Sequence, residues 1–371
     1  MRAARLDLKF ALLCAALLLL PTASATEVKR GAFHGALATE YPAWFKDSFL
    51  NLRDDIAEAK ANNKRVMLFF TQDNCPYCNA LVERNLAQKE IEQRMRERFE
   101  VIAINMWGDR EVIGLDGVKH TEKSFATAHK VQFTPTLLFF DEAGQMILRL
   151  NGYLPPPRFK TALEYVAQSK EKEISYRDYI AANTAPSTSG ELFKEDFFTP
   201  PPYVLTRKRG AKARPFAVFF EQKDCPSCAE LHQKVLTDKD TRAIIRKLNV
   251  IQLDMWSNTP VLTPQGTRQT AREWAKALDV KYAPTIVFFD EQGREIIRSE
   301  AFFKIFHTQG LFAYVADGSF KTEPDFQRYL SARAEVQREQ GKDVDIWRMG
   351  DEARGEKNKA SDESANPSHR K

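Results

Sequence analysis

Two unbroken apolar runs lie 150 residues apart, Val66-Met67-Leu68-Phe69-Phe70 and Phe216-Ala217-Val218-Phe219-Phe220. A short run of this kind, bounded by polar residues, predicts a strand buried on both faces. After the first run a helix is predicted carrying Leu81, Val82 and Leu86, then a second helix starting near Gln88 and presenting Ile91 and Met95 ahead of a strand around Val101. In the second half Thr237-Asp238 supplies an N-cap for a helix with Ile244 and Ile245. Asp116-Gly117 and Gln265-Gly266 mark turns within a long connection, and Asp141-Glu142-Ala143-Gly144 and Asp290-Glu291-Gln292-Gly293 read as hairpin turns between strands. Last helices are predicted over residues 157–168 and 308–316.

The two halves match well beyond these runs. Phe99-Glu100-Val101-Ile102-Ala103-Ile104-Asn105-Met106-Trp107 aligns with Leu248-Asn249-Val250-Ile251-Gln252-Leu253-Asp254-Met255-Trp256. Phe133-Thr134-Pro135-Thr136 with its following strand aligns with Tyr282-Ala283-Pro284-Thr285 and its strand. The chain is therefore a tandem duplication. Expected boundaries are residues 26–180 and 191–345, joined by a linker at 181–190 where Ala, Asn, Thr, Pro, Ser and Gly replace apolar periodicity. Residues 346–371 are polar and mixed in charge, the composition of a disordered tail. Residues 207–214 hold a basic run expected to form a solvated loop.

Composition narrows the class. A hydrophobic share of 43% over 371 residues is enough for two cores. The net charge of +5 is too weak to argue for nucleic acid as a partner. The first 25 residues have the form of a cleavable secretory signal: Arg2, Arg5 and Lys9, an apolar run over 10–20, Pro21, and Ala23-Ser24-Ala25 before the predicted cut. That run is shorter than the roughly 20 residues a bilayer span needs, and no later segment approaches that length, so no membrane span is expected in the mature chain. Such a signal predicts an oxidising compartment, the periplasm in a bacterium.

Of five cysteines, all but Cys14 fall in two motifs, Cys75-Pro76-Tyr77-Cys78 and Cys225-Pro226-Ser227-Cys228. Cysteines at i and i+3 on a helix start lie one turn apart, within disulfide reach. The first sits where unpaired N–H groups and the helix dipole favour a thiolate, the attacking species. Proline next to it tolerates a missing N–H and presets helical φ. The second cysteine then resolves a mixed disulfide. The Thr134-Pro135 and Ala283-Pro284 pairs fit cis bonds that turn the chain tightly and lay the preceding backbone against the motif, as a ledge for an extended substrate.

Other chemistries fit less well. A single four-cysteine zinc site would have to join pairs that each open their own helix, so no metal is expected. Covalent haem needs His after the motif, where Asn79 and Ala229 stand, and no other cofactor is implied. A disulfide closing one helical turn adds little stability, so it suits exchange better than stapling. Met106-Trp107 and Met255-Trp256 recur at strand ends, more as edge-of-core packing than as site lining.

Both halves resemble thioredoxin-fold domains, and more narrowly bacterial periplasmic thioredoxin-like proteins of sulfur-oxidation and disulfide-handling systems. The resemblance rests on the two motifs and the two X-Pro-Thr segments and covers roughly residues 45–170 and 193–317. It implies an α/β chain with two tandem thioredoxin folds, each a central mixed sheet flanked by helices. Cys75 and Cys225 would attack and Cys78 and Cys228 resolve, exchanging disulfides with protein thiols in the periplasm, with a membrane thiol carrier as an electron source. The alternative is a binding or chaperone-like module whose motifs are not catalytic. Thioredoxin itself has a buried Asp six residues before the first cysteine and a Trp just before it; here those places hold Phe69 and Asn74, or Phe219 and Asp224. Glu221, four before Cys225, is a candidate substitute proton acceptor, whereas the first half has Thr71 there.

Overall fold

The structure, a computed structural model, describes residues 29–183, 190–206, 214–300 and 302–349. The expected signal, most of the basic run and most of the tail lie outside the described residues. The first repeat opens with a short strand β1 (Phe33–His34), α1 (Leu52–Ala61) and β2 (Arg65–Thr71). The Cys75 motif starts α2 (Pro76–Ala80), which continues as a π-helical segment over Leu81–Leu86, and α3 (Lys89–Arg98) and β3 (Phe99–Asn105) follow. Next come the hairpin β4 (Glu111–Ile113) and β5 (Lys119–Thr121), α4 (Glu122–Ala128), β6 (Thr136–Phe140), β7 (Met146–Asn151), α5 (Pro156–Ala167) and α6 (Tyr176–Asn183).

After β8 (Tyr203–Val204) the second repeat repeats the plan: β9 (Phe216–Glu221), α7 (Pro226–Glu230), α8 (Lys239–Ile245), β10 (Asn249–Asp254), β11 (Pro260–Leu262), β12 (Arg268–Thr270) and α9 (Ala271–Ala277). It closes with β13 (Thr285–Phe289), β14 (Glu295–Ser299), α10 (Ile305–Ala316), α11 (Phe326–Glu339) and β15 (Val344–Asp345). The four-stranded sheets have the orders β3-β2-β6-β7 and β10-β9-β13-β14. β2 pairs β3 in parallel and β6 in antiparallel, and β9 treats β10 and β13 the same way.

Every residue of β2 and β9 is buried, because helices cover both faces of each sheet. Alternation then sends Val66, Leu68 and Phe70 into a core of the first repeat alone, and Met67 and Phe69 into a second cluster. That second cluster does not stop at the repeat boundary. It runs on through Phe159, Tyr176 and Phe326 to Phe219, Phe288 and Phe312, so the repeats share one apolar core.

Three expectations change. The long connections carrying Asp116-Gly117 and Gln265-Gly266 contain strands as well as the expected turns: three-residue strands pair in antiparallel on either side of each turn. The stretch expected to be a linker begins inside α6, which runs to Asn183, while residues 184–189 lie outside the described residues. The first residues of the expected tail are packed: Ile346 and Met349 are buried, just after β15 pairs with β1. The prediction for these segments failed because their apolar partners come from distant parts of the chain.

Candidate redox sites

Each motif sits where a buried central strand ends and a helix begins. Asn74 and Asp224, just before the first cysteines, have φ of 56° and 48°. Asn and Asp tolerate this left-handed backbone better than most residues, which explains why no bulky side chain stands there. Cys75 pairs with Cys78 and Cys225 with Cys228, with Cα–Cα distances of 5.3 and 5.1 Å. The amides of Cys78 and Cys228 each donate to the Sγ of the first cysteine at 3.1 Å. These otherwise unpaired helix-start donors favour negative charge on that sulfur once the bond is reduced.

Thr134-Pro135 and Ala283-Pro284 are cis. Cys75 Sγ lies 3.3 Å from Thr134 Oγ1 and 3.6 Å from Thr134 O. Thr136 and Thr285 each donate from the hydroxyl to a carbonyl three residues back, Phe133 and Tyr282, at 2.7 Å, which fixes both turns alike. Cys75 thus meets the Thr134 segment directly, and in the second repeat Cys225, Cys228 and Ala283 belong to one buried cluster.

What covers these sites was not legible from the residue pattern. α11 of the second repeat lies across the first: the Phe326 amide donates to Gln132 Oε1 at 3.0 Å, Gln327 Nε2 donates to Gln132 O at 3.0 Å, and Phe326 and Phe303 pack on Phe133. α6 of the first repeat lies across the second in the same manner. There Arg177 donates to the carbonyls of Val280 and Met255 at 2.7 and 2.8 Å and rests on the Trp256 ring. Arg158 and His307 hold corresponding places at the starts of α5 and α10, and each reaches the other repeat. Arg158 Nη1 donates to Ala283 O, the ledge carbonyl, at 2.8 Å. His307 packs edge-on against Tyr77, whose hydroxyl accepts from the Lys304 amide at 3.0 Å.

The covers are unequal. In the first motif Cys75, Pro76, Tyr77 and Cys78 are all buried, whereas in the second Pro226 is exposed and Ser227 half-buried. Burial pushes the Tyr77 phenol well above its ordinary value and the His307 imidazole down to about 4.

The family model for the thioredoxin-like domain matches residues 52–167 and again 205–306, together more than half of the chain. The chain belongs to the thioredoxin-like family. Among solved structures, a thioredoxin-fold protein from Helicobacter pylori is 25% identical, covering 33% of this chain and 80% of that one with a TM-score of 0.30. The oxidised C-terminal domain of DsbD from Neisseria meningitidis is 22% identical, covering 34% of this chain and 98% of its own, TM-score 0.26. A disulphide isomerase from Xylella fastidiosa is 18% identical, covering 37% and 98%, TM-score 0.24. No curated protein matches the chain.

Against the thioredoxin-like plan, the second repeat carries an ionisable cluster that the first lacks. Glu221, fully buried at the end of β9, accepts from His232 Nε2 at 3.0 Å and from Gln252 Nε2 at 2.6 Å. The other His232 nitrogen lies 2.9 Å from Glu195, which pairs with Arg242 at 2.6 Å. Burial opposes charge on His232, but the bonds to Glu221 and Glu195 outweigh it and hold its pKa above 6.5. In the first repeat the place of Glu221 is taken by Thr71, whose hydroxyl bonds Tyr41. Met106 and Met255 are buried, and the Trp107 and Trp256 indoles donate to Gln72 and Gln222 at 2.9 and 3.2 Å. Among the described residues no cluster of metal-ligating side chains occurs.

Proposed function

We propose that the chain is an exported thiol–disulfide oxidoreductase that exchanges disulfides with protein partners in the periplasm, Cys75 and Cys225 attacking and Cys78 and Cys228 resolving. The observation that carries this reading is the pairing, in both repeats, of a helix-capping cysteine disulfide with a cis-proline segment at its side. A bond closing a single helical turn contributes little as a staple, so its occurrence twice favours exchange. The second pair is the better candidate for polypeptides, since Pro226 is exposed and the ledge carbonyl of Ala283 is held by one arginine that a substrate amide can displace. Glu221, linked through His232 to Glu195, ends the strand that leads into this motif.

The second reading, a binding module with inert disulfides, draws on the complete burial of the first motif. Thiol counting with and without reductant, followed by insulin reduction with Cys75→Ser and Cys225→Ser, separates the two. Loss of turnover in Cys225→Ser supports the enzyme. Unchanged turnover in both variants overturns it.

A further inference from the structure

The first disulfide adjoins a cavity of about 330 Å³, within the range of small-molecule sites. Its walls come from both repeats: Phe303, Phe306, Leu330 and Ala334 of the second line it together with Phe133 and Cys75 of the first. The cavities beside the second motif and its ledge hold only about 40 and 50 Å³. The difference has a cause in the chain. Among the described residues α6 reaches Asn183, whereas α11 runs on to Glu339 and, with Phe33 and Ile346 beside the β1–β15 pair, roofs a space for which the described residues show no counterpart in the other site.

The same cover removes a polypeptide from consideration at this site. Phe326 and Gln327 occupy Gln132 beside the Thr134 ledge, and the whole motif is buried. A compact ligand has a way in, because the cavity reaches the surface at Asp73, Asn74 and the 41% exposed Phe33. At this mouth Arg338 pairs with Glu335 at 2.7 Å and donates to Gly31 O at 3.0 Å, and Asp73 adds an exposed carboxylate. An uncharged ligand with an apolar body therefore fits better than an anionic one.

We propose that the Cys75–Cys78 site exchanges electrons with a small, uncharged, apolar dithiol and its cyclic disulfide, bound in this cavity. The inference rests on the oxidoreductase reading and assigns the substrate class of one of its two sites. In the reducing direction a ligand thiolate attacks Cys75 Sγ and Cys78 leaves as thiolate. The second ligand thiol then attacks the ligand sulfur and displaces Cys75. The ligand loses two electrons and two protons, its ring disulfide forms, and the protein gains two thiols.

Dihydrolipoamide is the probe, used on the full chain with Cys225→Ser/Cys228→Ser so that only the first pair reports. The expected result is a reduction rate that saturates with dihydrolipoamide and exceeds that of glutathione at equal thiolate concentration. Ala334→Phe, which fills the cavity, should slow it by about tenfold or more. In the wild-type oxidised chain, oxidised lipoamide should shift NMR signals of Phe33, Phe133, Leu330 and Ile346, a reading that needs no redox step and no folded variant. A linear rate matched by glutathione and unmoved by Ala334→Phe, or no lipoamide-induced shifts, overturns the proposal. Insulin reduction through the second pair, measured alongside, shows whether the oxidoreductase reading stands independently.

Discussion

Asn151 and Glu300 occupy the same position in the two repeats and meet each other: Asn151 Nδ2 donates to Glu300 Oε2 at 2.5 Å, and both are buried. Each follows or ends the outer strand of its sheet, so the contact marks the pseudo-twofold relation between the repeats. Around it the C-terminal helices cross over, α6 onto the second site and α11 onto the first.

Because Asn151 also accepts from Arg149 Nε at 2.9 Å, its loss leaves polar groups on both repeats unpaired. Asn151→Ala should lower unfolding stability in urea by about 1–3 kcal/mol. Asn151→Asp should cost more near neutral pH, since it sets two carboxylates against each other. A variant as stable as the parent would mean that the repeats are held by their apolar core alone.

The buried His307 makes the clasp acid-sensitive. Its folded pKa of about 4 lies below the unfolded value of 6.5, so the unfolded chain binds the extra proton between those values. Stability should fall as pH drops from about 6.5 to about 4, by about 3 kcal/mol in total. Urea titrations at both ends of that window test this, and His307→Phe, which keeps an aromatic ring against Tyr77, should flatten the acid limb.

His232 predicts the opposite limb. Its folded pKa is raised by Glu221 and Glu195, so the stabilisation is fully present below 6.5 and is lost as pH rises through the folded value. His232→Phe removes the charged partner of Glu221, leaving it only the Gln252 amide, and should cost about 3–5 kcal/mol at pH 6, with less difference from the parent in alkali. Equal costs at pH 6 and pH 9 would show that the imidazolium has no part in holding Glu221.

Arg158 competes with any substrate amide for the Ala283 carbonyl. Arg158→Met should speed exchange between a cysteine-containing peptide and the Cys225–Cys228 pair by about fivefold, the worth of one hydrogen bond of about 1 kcal/mol. The first pair should be unaffected. A slower reaction would assign Arg158 to substrate binding instead of to the cover.

Much of the fold was legible because its central strands are buried on both faces, which turns β2 and β9 into uninterrupted apolar runs. The hairpins β4–β5 and β11–β12 escaped notice since each strand is three residues long and each hairpin offers one buried side chain, Val112 or Val261. The crossing helices were hidden for another reason. Phe326, Leu330 and Ala334 keep a helical spacing in α11, but a spacing does not say which repeat it faces. His232, one turn beyond Cys228, was the missed companion of Glu221; an ionisable residue between Leu231 and Val235, both buried, was the available signal.

The most direct test of a two-site redox protein is the reduction potential of each pair, read by alkylation and peptide-resolved mass spectrometry across redox buffers. The account predicts two separate two-electron transitions, both between about −120 and −270 mV, the span of exchanging family disulfides. A pair that stays oxidised below about −300 mV behaves as a structural bond and would contradict the assignment of its site.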